Sequence, residues 1–260
     1  MTCRELIKLF EQAFPSETAL DFDNVGLLCG RFKKEVKKIF VALDATDEII
    51  KEAITWQADM LITHHPLLLT PLKVINSGDG IGQKLIDLIQ NDIACFALHT
   101  NYDVMRMADL ASDVLGLHDG LVLEETIFLD GETRGIGKIA ELPRFITLKE
   151  CCELVKDAFI LDNVKVFGDL DKDILRLAVS PGSGKSVIAS AIKKGADVLV
   201  TGDIGHHDGI DALEKGLAVI DAGHYGTESI FIADIRDFLL NKNRNLEIKT
   251  ARIKQPFQVR

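Results

Sequence analysis

The chain has 260 residues, 47% of them hydrophobic, and 40 acidic against 30 basic side chains give a formal charge of −10. That length accommodates one large α/β domain or two small ones. No apolar run approaches the ~18 residues of a membrane span, and no concentrated basic surface of the kind that sequence-independent nucleic-acid binding needs is visible.

Residues 4–14 open the chain with helical spacing, Leu6, Ile7, Leu9, Phe10, Ala13 and Phe14, ended by Pro15. Asp21, Asp23 and Asn24 then precede a strand from Val25 to Cys29. A second strand covers Lys38 to Leu43, and Thr46 or Asp47 caps a helix to about Gln57. Ala58 to Ile62 reads as a buried parallel strand that runs through Thr63 into His64-His65-Pro66, where proline ends the ladder. A loop rich in Pro, Gly and Ser fills 66–80. Helix Ile81–Gln90 and buried strand Ile93–Leu98 follow, and the latter ends in His99-Thr100-Asn101-Tyr102-Asp103. Met105 to Leu115 is helical, with Gly116 as its stop.

From Leu121 the pattern changes. Thr126–Leu129 and Ile136–Ala140, around Gly131, suggest a hairpin or paired strands. Helix Leu148–Ala158 and a short strand Val164–Phe167 come next. The cysteines Cys3, Cys29, Cys95, Cys151 and Cys152 are scattered without a Cys-x-x-Cys pair. Such usage argues against a disulfide framework or a thiolate zinc site and for a reducing compartment. The opening residues, Met1 to Leu6, carry no apolar secretion signal, so the cytoplasm is the expected location.

The second half echoes the first. Val41, Ala53-Ile54 and Ala58-Asp59-Met60-Leu61-Ile62-Thr63 return as Val179, Ala191-Ile192 and Ala196-Asp197-Val198-Leu199-Val200-Thr201, without a gap and at an offset of 138 positions. Both read strand, helix, strand, polar strand end. After Thr63 stands His64-His65; after Thr201 stand Gly202-Asp203 and then His206-His207. Strand Leu217–Ile220 precedes His224 much as Ile93–Leu98 precedes His99. An internal repeat follows. The expected fold is α/β, two related halves at 1–120 and 121–260 that face each other across a cleft.

Histidines and carboxylates thus follow three buried strands: His64-His65, His99 with Asp103, and His224 with Glu228. In open α/β sheets ligands gather at the carboxyl ends of strands. His224 and Glu228, four apart, share one helical face. Each piece also has a plain reading: the His64-His65 pair bonded to loop carbonyls, Asp103 as a helix cap, His224 and Glu228 as a surface pair. Together they form a mixed imidazole and carboxylate set that suits Zn²⁺, Fe²⁺, Mn²⁺ or Ni²⁺. Gly182-Ser183-Gly184-Lys185-Ser186 has the look of a phosphate-binding loop. The full pattern needs glycine where Val179 stands, so Lys185 either steadies a phosphate or is a solvated lysine.

Thr63-His64-His65-Pro66, His99-Thr100-Asn101-Tyr102-Asp103 and Gly223-His224-Tyr225-Gly226-Thr227-Glu228 resemble the signature motifs of the Nif-three-like family, also labelled GTP cyclohydrolase I type 2 homologues. Phe22-Asp23-Asn24-Val25-Gly26-Leu27, Ser180-Pro181-Gly182-Ser183-Gly184 and Thr201-Gly202-Asp203-Ile204-Gly205-His206-His207 resemble further motifs, all in order. The resemblance implies two divalent ions per chain, held by His64, His65, Asp103, His224 and a bridging Glu228, and leaves open whether His99 is a ligand or stands just behind the ligands. It also implies a ring-shaped homohexamer and the compact form of the family, without an inserted middle domain. The leading expectation is a metal-dependent hydrolase for a nucleotide or a small phosphorylated or cyclic molecule, with His206 or His207 moving protons. The alternatives are a metal store, chaperone or scaffold, or a protein-interaction role.

Overall fold

The computed structural model describes residues 1–258. The chain starts with α1 (Cys3–Ala13), β1 (Gly26–Cys29), β2 (Lys38–Ala42), α2 (Asp47–Thr55) and β3 (Met60–Thr63). It goes on through α3 (Gly80–Gln90), β4 (Ala94–Ala97) and the short turn α4 (Thr100–Tyr102). A π-helical turn, Asp103–Met107, leads into α5 (Ala108–Val114), β5 (Leu121–Leu129), β6 (Glu132–Thr147), α6 (Leu148–Phe159) and β7 (Lys165–Phe167). Then come β8 (Asp173–Ser183), α7 (Ile188–Lys193), β9 (Val198–Gly202), α8 (His206–Glu214) and β10 (Ala218–Asp221). The last elements are α9 (His224–Glu228), α10 (Ile230–Lys242) and β11 (Glu247–Thr250). No helix among the described residues is long and apolar enough to cross a membrane.

Two compact units result, residues 1–102 with 231–253, and residues 103–230 with 254–258. The sequence suggests a single boundary near residue 120. The chain instead leaves the first unit after Tyr102 and returns to it with α10 and β11. β11 is a four-residue edge strand with no fully buried position, so it gives almost no apolar signal of its own.

In the first unit, five strands are ordered β1-β4-β3-β2-β11, all parallel except β1. β3 and β4 are buried at every position, as expected for parallel strands covered on both faces. Alternation assigns the faces. Phe40, Leu61 and Cys95 pack with Ile50 and Ala53 of α2 and Leu88 of α3. Phe96 meets α1, where Phe10 stacks on it at 5.0 Å and on Phe238 of α10 at 5.8 Å. The N-terminus of α1 is fixed by a capping box between Thr2 and Glu5.

In the second unit, six strands are ordered β5-β6-β8-β9-β10-β7, with β8, β9 and β10 parallel. The hairpin β5–β6 turns at Asp130-Gly131, both at positive φ (51° and 85°), the backbone that a two-residue hairpin turn demands. β6 then continues to Thr147, which caps α6 through a second capping box with Glu150. One sheet face buries Leu177, Val179, Val198 and Val200 under α6, and the other buries Ala178, Leu199 and Val219 under α7 and α8.

The repeat read from the sequence is present at the level of register. Val41 pairs with Ile62 in the first unit, and Val179 with Val200 in the second. Asp59 Oδ2 accepts the N–H groups of Lys37 and Lys38, both at 2.9 Å. Asp197 Oδ2 accepts those of Leu175 and Arg176, at 2.9 and 2.7 Å. Lys34 Nζ donates to the Asp59 carbonyl at 3.0 Å, and Lys172 Nζ to the Asp197 carbonyl at 2.9 Å. An antiparallel strand flanks each trio, β1 beside β4 and β7 beside β10.

Candidate metal centre

The first unit gathers its donors at the carboxyl ends of β3 and β4. His64 and His65 follow β3 directly, and His99 stands two residues past β4. The rings lie close: 5.0 Å between the centroids of His64 and His65, 5.3 Å for His64 and His99, 5.6 Å for His65 and His99. One ring nitrogen from each falls within 4.8 Å of the other two.

Each Nδ1 faces an oxygen. His64 Nδ1 lies 2.7 Å from the Leu98 carbonyl, His65 Nδ1 2.8 Å from Asp44 Oδ1, and His99 Nδ1 2.8 Å from Asp23 Oδ1. A carbonyl or carboxylate oxygen only accepts, so the proton sits on Nδ1 in all three rings. The lone pair is then on Nε2. This is how metal-binding histidines are ordinarily held.

Asp23 is the most enclosed of these partners, its side chain having no exposed surface. It also accepts from the Thr100 N–H at 2.9 Å and from the Thr100 hydroxyl. Burial pushes its carboxyl up, but the hydrogen bonds from His99 and Thr100 outweigh burial and bring it down to about 2.

The second unit holds a smaller set around α9. His224 Nε2 lies 3.1 Å from Glu228 Oε2, one turn on, and His224 Nδ1 lies 2.8 Å from Asp203 Oδ2. Gly223, at φ 79°, turns the chain from β10 into α9. The carboxyl ends of β8 and β9 back this turn. Gly182 N–H donates to Thr227 Oγ1 at 2.9 Å, and a Cβ on Gly202 would overlap the His224 backbone nitrogen. A Cβ on Gly182 would overlap Glu228 Oε1, so that glycine is the space in which a buried carboxylate sits beside an imidazole.

These sets fit a divalent ion by their chemistry: imidazoles held through Nδ1 by an oxygen and a desolvated carboxylate, with no thiol among them. The thiols of Cys95 and Cys151 sit in the cores, and burial pushes each up to about 12.

Asp103 begins the half-buried π-helical turn, and its part as a ligand rests on the motif. His206 and His207 begin α8 and are exposed, with rings 5.2 Å apart. Lys185 is exposed and pairs with Asp208 at 3.0 Å. The glycines around it have packing reasons, Gly182 for Glu228 and Gly184 for Thr201, whose side chain a Cβ would overlap. Sequence reasoning leaves Asp44 unassigned and gives Asp23 and Asp203 no role beyond their motifs. Their signal is positional: Asp44 is two residues past β2, Asp203 one past β9, and Asp23 three before β1.

Two related α/β units, with histidine and carboxylate groups at their strand ends that could hold a metal ion, define the class of α/β protein to which the chain is to be compared. The DUF34/NIF3 (NGG1p interacting factor 3) family model matches residues 1–256, and the chain belongs to that family. A Clostridium perfringens protein named GTP cyclohydrolase 1 type 2 homolog is 36% identical over 230 residues, covering 88% of this chain and 87% of that protein. A protein of the same name from Clostridium acetobutylicum is 38% identical over 227 residues, covering 86% and 84%. The crystal structure of a Bacillus cereus protein related to NIF3 superposes with a TM-score of 0.91 at 27% identity, covering 100% of this chain and 99% of that one.

Proposed function

We propose that this chain is a dinuclear metal protein working as a metal-dependent hydrolase on a nucleotide or a small phosphorylated or cyclic substrate. The observation that carries the reading is the common setting of the histidines. His64 and His65 each have Nδ1 engaged by an oxygen, which turns Nε2 toward the proposed ion, and His224 stands between the Asp203 carboxylate and the buried Glu228 carboxylate. With Asp103 and Glu228 they form the proposed ligand set for two divalent ions, Glu228 serving both. Such an ion pair makes water a usable nucleophile near neutral pH and polarises the centre under attack. The chain's own residues do the rest. The carboxylates of Asp44 and Asp203 hold the His65 and His224 rings through Nδ1, and the ends of β3 and β10 fix where those rings stand. His206 and His207, exposed at the start of α8, are the proposed proton carriers.

The names of the clostridial relatives support a ring-opening hydrolysis as the reaction class. The assembly proposed with this reading is the ring-shaped homohexamer in the cytoplasm that the motif resemblance implies, and mass measurement in solution checks the assembly.

The test of function starts with metal analysis of protein purified without added ions, wild type beside Glu228→Gln. Two equivalents per chain in the wild type and a sharp fall in the variant are expected. Turnover on a panel of nucleotides, phosphoesters and cyclic amides should stop on chelation and return with Mn²⁺, Zn²⁺ or Fe²⁺. Metal-loaded protein that leaves the whole panel untouched while passing its ions to a competing apo-protein would replace the hydrolase with a carrier.

A further inference from the structure

Asp23 stands in the loop before β1, yet its carboxylate is wholly buried. A buried charge of this kind is tolerated only when hydrogen-bonded. Its two oxygens divide the work. Oδ2 takes both donors of Thr100, the N–H at 2.9 Å and the hydroxyl. Oδ1 takes His99 Nδ1 at 2.8 Å. Thr100 is itself pinned, since its Oγ1 accepts the Leu20 N–H at 2.9 Å. The next residue, Asn101, accepts the His99 N–H at 3.1 Å and donates to the Phe14 carbonyl at 2.8 Å. The segment His99–Asn101 is therefore tied down on both sides, and Asp23 supplies the carboxylate that meets the His99 imidazole.

The same construction serves the proposed ligands. Asp44 holds His65 and Asp203 holds His224, each at 2.8 Å, but those carboxylates are 45% and 57% exposed. The most enclosed version of the device is spent on His99, whose ring is 5.3 Å from that of His64 and 5.6 Å from that of His65.

We infer that Asp23 is a positioning residue for the metal centre. It keeps the His99 proton on Nδ1 and so presents the Nε2 lone pair to the ion held beside His64 and His65. His99 then acts directly on the metal site, and the Phe22-Asp23-Asn24 motif has a task there although Asp23 touches no ion. The inference rests on the metal reading above.

Asparagine at position 23 separates geometry from bulk. Its carbonyl can keep both Thr100 bonds, and its amide then faces His99 Nδ1 as a donor, which forces the proton to Nε2. The experiment uses full-length protein: ¹H–¹⁵N imidazole spectra without metal, then Zn²⁺ and Co²⁺ titrations of wild type, Asp23→Asn, His99→Ala and the double variant. In the wild type, His99 should show the Nδ1–H tautomer, and its Nε2 resonance should move on Zn²⁺ addition. Asp23→Asn should show Nε2–H and lose about 10–100-fold in metal affinity. His99→Ala should lose a similar factor, and the double variant no more than the larger single loss, because both changes remove one interaction. Circular dichroism verifies that each variant is folded.

A wild-type His99 Nε2 resonance unmoved by Zn²⁺ overturns the inference, and this reading needs no variant at all. So does a folded Asp23→Asn protein with unchanged affinity, or single losses that simply multiply. Wild-type protein that binds no Zn²⁺ or Co²⁺ brings down the metal reading itself, a result distinct from these.

Discussion

Gly182 and the Glu228 carboxylate occupy one space: a Cβ on Gly182 would overlap Glu228 Oε1 and stand 3.6 Å from His224 Nε2. Gly182 also has φ 74°, a backbone that L-residues adopt at a cost of roughly 1–2 kcal/mol. Gly182→Ala should therefore do two things. It should lower stability by at least that strain, and it should displace the carboxylate and reduce bound metal. Gly131→Ala is the control. Gly131 has φ 85° but nothing within 4 Å of a Cβ, so only the strain applies. Metal analysis and thermal unfolding of both variants separate the two effects. Equal metal content in Gly182→Ala and wild type would contradict the reading.

The fold and half of the site are legible in the sequence because they are written in patterns that repeat. β3 and β4 are buried on both faces and so appear as continuous apolar runs. The offset that links Asp59 to Asp197 reflects two carboxylates with the same backbone partners, one in each unit. His64, His65, His99, His224 and Glu228 stand out because rare or charged residues follow apolar strands. Asp44 and Asp203 do not stand out. Each is one acid among the 40 Asp and Glu residues of the chain, and its role comes from a partner that only the fold supplies. Asp23 lies 76 positions from His99, and antiparallel pairing of β1 with β4 brings them together. β11 is illegible for a different reason: pairing with β2, not burial, decides its place.

The low Asp23 carboxyl gives a pH dependence of defined sign. In the folded chain it titrates at about 2, against an ordinary 3.8. A depressed carboxyl stabilises the fold above its unfolded value, and that contribution disappears as pH falls through the folded value. Here the window runs from pH 3.8 down to about 2, and the contribution is about 2 kcal/mol. Metal-free Asp23→Asn should thus be less stable than wild type near neutrality by about that amount. The gap should close between pH 4 and 2. Denaturant titrations across the acid range check it; a gap that widens toward pH 2 has the wrong sign.

Ile160 ends α6 in the left-handed region at φ 57°, and it is 90% exposed. A β-branched residue is a poor occupant of that backbone, where glycine is the common choice. At 90% exposure its side chain buries almost nothing that substitution could lose. Ile160→Gly should therefore stabilise the protein by up to about 1 kcal/mol, the left-handed strain less the added freedom of the unfolded chain. A higher thermal midpoint with unchanged metal content is the expected result. A lower midpoint would mean that the exposed side chain makes a stabilising contact in the assembled protein.

Lys185 completes a motif that looks built for phosphate, but its surroundings explain it otherwise. The side chain is 69% exposed and pairs with Asp208 at 3.0 Å, so its charge is already answered within the second unit. An exposed pair of this kind contributes about 0–1 kcal/mol. The neighbouring glycines answer to Glu228 and Thr201, leaving no need for a phosphate to account for them. Lys185→Ala should therefore leave metal stoichiometry unchanged and move stability by less than about 1 kcal/mol. It should also leave the affinity for inorganic phosphate unchanged. A loss of phosphate binding at constant metal content would instead give the lysine the role its sequence context suggests, with Asp208 as the group that a phosphate displaces.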